Sequence, residues 1–234
     1  MFGIRLFALG LVPLSFGAAS PASAGPLPDC ANKFGAAQQA NCQLTSSLPS
    51  GPRFEKRATG NNVEIRILAK DGSAAQTITE TVPANTGSGI PLLRDIDGDG
   101  RDDLLLSISD GGAHGNPDWA VWRPVGSSTQ FQRMSGGLFG NEFWSAGDGY
   151  TASYASGGGW SVGFSRIEND AFALVARVGR SAPAGIPEPG SPLCSLQNSP
   201  NLERYGFTKE TAEQKFCVLA VPQLRARGLS DYNR

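Results

Sequence analysis

Apolar and polar residues alternate along much of this chain with a period of two. Val63, Ile65 and Ile67 are separated by Glu64 and Arg66, the spacing of a strand with one buried face. Lys70, Asp71, Gly72 and Ser73 form a turn signal, and a β-branched stretch at 77–82 follows. Residues 62–82 therefore predict a hairpin. Trp160, Val162 and Phe164 share one face of a second run, and Phe172, Leu174, Ala176 and Val178 share one face of a third. Glu168, Asn169 and Asp170 lie between them, so the two faces combine on one side of a sheet and need a core beneath. Further strands are predicted over 104–109, 119–123 and 129–134, with short ones around Phe143 and Tyr150 in the glycine-rich stretch 136–159. Only 208–215 has a helical pattern, and it is short. The fold class expected is all-β, built of antiparallel hairpins, propeller-like or sandwich-like.

The ends add an address. Arg5 precedes the mostly apolar stretch 6–16, and Ala22, Ser23 and Ala24 form a small-x-small cleavage site, so 1–24 reads as a signal peptide. The apolar stretch is too short to span a bilayer, and no later segment is long enough. The expected location is the periplasm or the exterior. Charge is nearly balanced, with 20 basic against 21 acidic residues, which excludes nucleic acid or an anionic membrane surface as the main partner. Cys30, Cys42, Cys194 and Cys217 allow three pairings. Near neighbours in sequence close most easily, which favours Cys30–Cys42 and Cys194–Cys217. A disulfide-tied lead-in of little regular structure is expected over 25–60, a β domain over 61–182, and a C-terminal segment with the second disulfide over 183–234.

One stretch carries chemistry. DIDGDGRDD, residues 95–103, holds five aspartates and two glycines and runs directly into an apolar strand. Asp95, Asp97, Asp99 and Asp103 occupy positions 1, 3, 5 and 9, with the Arg101 carbonyl at position 7. Gly98 and Gly100 permit the tight winding that aims alternate side chains at one centre. Carboxylates crowded this closely need a cation, and several anionic oxygens on a flexible loop suit calcium better than the stricter magnesium. The loop is not an EF-hand: position 12 is Leu106, not glutamate, and a strand follows where that motif has a helix. Ile96, between two ligands, is expected to pack inward, and Asp102 to face away into solvent or onto an arginine.

The loop resembles the calcium loop of FG-GAP and VCBS-type repeats, in which Asp-x-Asp-Gly-Asp-Gly-x-x-Asp leads into an apolar strand. The resemblance implies Ca2+ ligation by Asp95, Asp97, Asp99 and Asp103 with the Arg101 carbonyl, in a propeller-like β fold. A full propeller would repeat the loop, and this chain contains it once. A looser resemblance of layout extends to exported bacterial inhibitors of peptidoglycan-cleaving, lysozyme-like effectors, the immunity proteins of bacterial-killing secretion systems. Here a glycine-rich loop containing Gly112, His114 and Asn116 follows the calcium-loop strand and precedes an aromatic strand at 119–122. That layout implies a non-enzymatic binding protein whose partner is another protein, a peptidoglycan hydrolase, with Gly112, His114 and Asn116 as contact residues.

Two features point elsewhere. Gly159-Trp160-Ser161-Val162-Gly163 fits the nucleophile-elbow motif, but Ser161 falls in a strand pattern, no helix follows, and the sole histidine precedes it. Trp119, Trp122, Trp144 and Trp160 could stack sugars, although strand aromatics usually fill cores. An envelope carbohydrate-binding module or hydrolase is therefore the competing class.

Overall fold

The computed structural model describes residues 26–83, 88–181 and 193–229; the segment 1–24 that the sequence reads as a signal peptide lies outside them. The chain opens with a four-stranded antiparallel sheet in the order β1 (Asn41–Thr45), β2 (Arg53–Thr59), β3 (Asn62–Leu68) and β4 (Ala74–Thr81). Its inner face is Cys42, Leu44, Phe54, Val63, Ile65, Ile67 and Ile78. β3 and β4 are the expected hairpin.

The strands that follow are β5 (Pro91–Arg94), β6 (Asp103–Ser107), β7 (Asp118–Pro124), β8 (Phe131–Phe139), β9 (Glu142–Gly147), β10 (Tyr150–Ser156), β11 (Gly159–Glu168), β12 (Ala171–Ser181) and β13 (Ser195–Asn198). They form one sheet in the order β5-β6-β7-β8-β12-β11-β10-β9, with β13 added to β12. All pairings are antiparallel except β8 with β12, a parallel contact at Ser135 and Ala171. The sheet curls until its two ends face each other: Arg94 of β5 donates to Glu142 of β9 at 3.0 Å. The result is a nearly closed barrel.

Three cores follow from this layering. Leu104 and Leu106 of β6 face the four-stranded sheet, while Leu105 faces the barrel interior with Trp119, Val121, Met134 and Phe143. A strand buried on both faces reads as a continuous apolar run, which is why 104–106 is Leu-Leu-Leu. Outside the barrel, Tyr150, Ala152, Val162, Phe164, Ala176 and Val178 pack beneath α1 (Lys209–Ala226), the one α-helix among the described residues. Phe216 sits at the centre of that core, with ring centroids of Phe164 4.8 Å and Tyr150 5.3 Å away. All four tryptophans are buried.

Both disulfides pair near neighbours. Cys30–Cys42 fastens the N-terminal segment to β1, and Cys194–Cys217 joins the segment beside β13 to α1. Two disulfides fit a protein from an oxidising compartment outside the cytoplasm. No helix among the described residues is long and apolar enough to cross a membrane.

Two expectations need correction. The lead-in carries regular structure: β1 and β2 belong to the first sheet, and β2 pairs with β3. Its alternation is disguised by Lys56, a cation at an inward position whose Nζ donates to the Gln39 carbonyl at 3.3 Å. Burial lowers the Lys56 pKa. The helix is also longer than expected, at 18 residues. Its buried stripe is Ala212, Phe216, Ala220 and Leu224, one residue wide per turn. Apolar residues off the stripe, such as the exposed Val218, and Pro222 inside the helix hide the period. Thr208 caps the start through reciprocal bonds with Thr211, which offsets part of the weak propensity.

Candidate functional site

The acidic loop joins β5 to β6 at the open end of the barrel. Ile96 is fully buried and anchors it as expected; its carbonyl accepts from the Thr151 hydroxyl at 2.8 Å. Gly98 and Gly100 both adopt φ 82°, a left-handed conformation that glycine takes without strain. The carboxylates are held by the loop's own backbone. Asp95 accepts from Gly98 N at 2.7 Å and Gly100 N at 3.0 Å, Asp97 from Asp99 N at 3.1 Å, and Asp99 from Arg101 N at 2.8 Å. Each of Asp95, Asp97 and Asp99 thereby brings one oxygen to within 4.8 Å of the other two.

Asp103 stands outside that group, at the first position of β6 with no solvent exposure. Its Oδ2 accepts from Ile96 N at 3.1 Å, and its Oδ1 has no hydrogen-bond partner. Burial pushes its pKa up to about 8; the Ile96 N–H opposes the shift, and the charges of Asp99, Asp95 and Asp102 add to it. Arg123, from β7, is the compensating cation: it pairs with Asp97, and its Nε lies 3.6 Å from Asp103 Oδ1 without a hydrogen bond. Burial is the largest cause of the Asp103 shift, and the same Arg123 also pairs with Asp97. One arginine thus serves several crowded carboxylates, and a buried carboxylate oxygen is left unsatisfied. An all-oxygen, anionic donor set of this kind fits a hard divalent cation.

The side chains of the two remaining members of the loop do other work. Arg101 sends its side chain away, to the carbonyls of Gly126 and Ser128 in the turn between β7 and β8. Asp102, expected in solvent or on an arginine, is instead buried against the first sheet. It accepts from the Ser46 hydroxyl at 2.7 Å and from Ser47 N and Oγ at 2.6 and 3.0 Å. The hydroxyls and N–H satisfy the charge that solvent would otherwise carry, and the bonds tie the loop to the β1–β2 connection. Neither Arg123 nor the Ser46–Ser47 pair is visible as a site residue in the sequence, since all three are far from the loop along the chain.

The second candidate set lies on the β6–β7 connection. Gly112 and His114 are exposed on a single 3-10 turn. Asn116 is buried and serves as a clamp. Its Nδ2 donates to the Ser156 carbonyl, and its Oδ1 accepts from Ser156 N at 2.9 Å and from Asn141 at 3.3 Å. These bonds fix the loop against the β10–β11 turn, where Gly157 lies under the His114 ring so closely that a Cβ there would come within 2.6 Å of it. His114 is therefore presented on a braced loop. Ser161 of the elbow-like motif sits inside β11, paired with Ala155 and Gly179 on either side. It has neither the sharp turn nor the helix that exposes such a nucleophile.

No family model matches this sequence, so the likeness to FG-GAP and VCBS loops remains one of the nine-residue motif. No curated protein matches it either. A solved structure, described as that of a Xanthomonas type IV secretion system related protein, aligns over 69% of this chain and 91% of its own, with 14% identity and a TM-score of 0.43.

Proposed function

We propose that this chain is an exported, calcium-stabilised β protein that binds another protein and catalyses nothing itself. The partner class is a peptidoglycan-degrading, lysozyme-like enzyme. The observation that carries the calcium part is the convergence of Asp95, Asp97 and Asp99 beside the unsatisfied Asp103 oxygen. Calcium there neutralises the loop and fixes it to β6; its role is structural. The binding part is supported by the braced exposure of Gly112 and His114, because a preorganised loop loses little entropy on binding. The burial of all four tryptophans weighs against the competing reading of a sugar-stacking platform.

The test has two arms. Calorimetry on the mature chain should give saturable heat with calcium, and free calcium at about 100 times Kd should add about 2.7 kcal/mol of stability. Asp97→Asn should weaken both. Separately, the calcium-loaded protein should block a muramidase at near-stoichiometric amounts, and His114→Ala should relieve the block without lowering the melting temperature. Absence of calcium heat defeats the first arm; full muramidase activity at excess protein defeats the second.

A further inference from the structure

A cleft of about 630 Å³ opens beside His114, between the loop that carries it, the β10–β11 turn, the end of β12 and β13. We propose that it is a binding site for a small carboxylate-bearing molecule. The volume lies in the range of small-ligand sites. No Asp or Glu lines it, whereas Arg180 does. Arg180 Nε is out of contact with solvent and has no hydrogen-bond partner among the described residues. A buried donor without an acceptor is costly, and a guanidinium is satisfied best by a planar, bidentate carboxylate. The carboxylate that touches the neighbouring strand β13, Glu213, accepts instead from Leu196 N at 2.8 Å and lies outside the lining.

The rest of the cleft suits the body of such a ligand. Trp160 and Leu196 supply apolar wall, and the exposed Phe139 ring forms part of the rim. Gly157, Gly158 and Gly159 all have positive φ, at 125°, 59° and 126°, so backbone lines this side, with the His114 ring against Gly157. A phosphate or sulfate fits less well, since a single arginine faces the cleft and a doubly charged anion calls for more cationic partners. The site includes no residue of the calcium loop, but it shares His114 with the proposed partner surface.

The test uses the mature chain, labelled with 15N and loaded with calcium, titrated with N-acetyl-L-glutamine, which carries one carboxylate and whose acetyl cap removes an ammonium that Arg180 would repel. The expected result is saturable shifts of the Gly157, Gly158 and Gly159 amides and of the Arg180 side chain. N-acetyl-L-glutamine amide, its neutral analogue with no carboxylate, should bind at least about tenfold more weakly, because the charge-assisted bond is lost. Arg180→Gln should abolish the shifts while leaving the rest of the spectrum in place, and Arg180→Lys should restore part of the affinity. Equal binding of the neutral analogue by the unaltered protein overturns the proposal. So does a lack of saturable shift at about 20 mM, weaker than any useful affinity, or retention of binding by Arg180→Gln.

Discussion

Asp103 makes the ion-free protein sensitive to pH in an unusual direction. Its carboxyl is fully buried and its pKa rises from 3.8 to about 8 on folding. The folded state then keeps a proton that the unfolded chain has released, so its contribution is fully present below about pH 4 and is lost as pH rises towards 8. A tenfold difference in proton affinity between the two states is worth about 1.4 kcal/mol. At pH 7 the group sets an upper limit of about 4 kcal/mol on the stability lost relative to acid, and movement of Arg123 towards Asp103 reduces it. That is a large share of the roughly 5–15 kcal/mol that holds a domain together. Urea unfolding in EDTA, followed by tryptophan fluorescence between pH 5 and 8, should show stability falling with pH. Asp103→Asn should flatten this slope, and it should make the chelated protein more stable than the unaltered one at pH 8. With calcium the order should reverse, because the asparagine has given up an anionic oxygen. If the chelated protein keeps its stability from pH 5 to 8, or if Asp103→Asn destabilises it at pH 8, the reading that burial outweighs the Arg123 ion pair at this position is refuted.

Two further outcomes follow from the packing. Phe216→Ala empties the centre of the core under α1 and should cost about 3–5 kcal/mol in urea unfolding, with hydrogen exchange accelerating in α1 before it does in β1–β4. Asn116→Ala removes the clamp between the two loops and should cost about 1–3 kcal/mol for the buried groups it leaves unpaired, and the amide of Ser156 should lose its protection from exchange.

The sequence disclosed the hairpins because their alternation is clean on at least one face. β3, β4, β11 and β12 fall where period-two patterning places them, although a register shift opposite Phe164 and Ser165 breaks the single face expected of β12 and sends Phe172 to the Trp119 core while Ala176 and Val178 pack under α1; both disulfides follow from loop-closure cost alone. What it concealed has a common cause: buried positions filled by residues that read as polar, or apolar positions that read as unpatterned. Lys56 interrupts β2, Thr151 and Ser153 are buried in β10, and the α1 stripe is too narrow to stand out from Val218 and Leu219. The closure of the barrel was equally hidden. It depends on Arg94 reaching Glu142 across 48 residues, and on the single parallel contact between β8 and β12, neither of which leaves a local signature.

The acidic loop shows the same division. Spacing pointed to Asp95, Asp97, Asp99 and Asp103, with the Arg101 carbonyl, as a converging set; the structure brings the first three together, because the geometry that does so is local: two left-handed glycines and four backbone N–H bonds. It could not distinguish Asp102 from its neighbours, since what buries Asp102 is a pair of serines more than 50 residues earlier. Nor could it find Arg123, which enters from the second strand beyond the loop. These long-range contacts give the loop a consequence beyond the proposed ion binding. Asp102 ties it to the first sheet, Ile96 ties it to the barrel interior, and Arg123 ties it to β7. An ion that rigidifies the loop therefore tightens the seam between both sheets. The part of the molecule that responds to calcium should extend to the β1–β2 connection, where Ser46 and Ser47 meet Asp102.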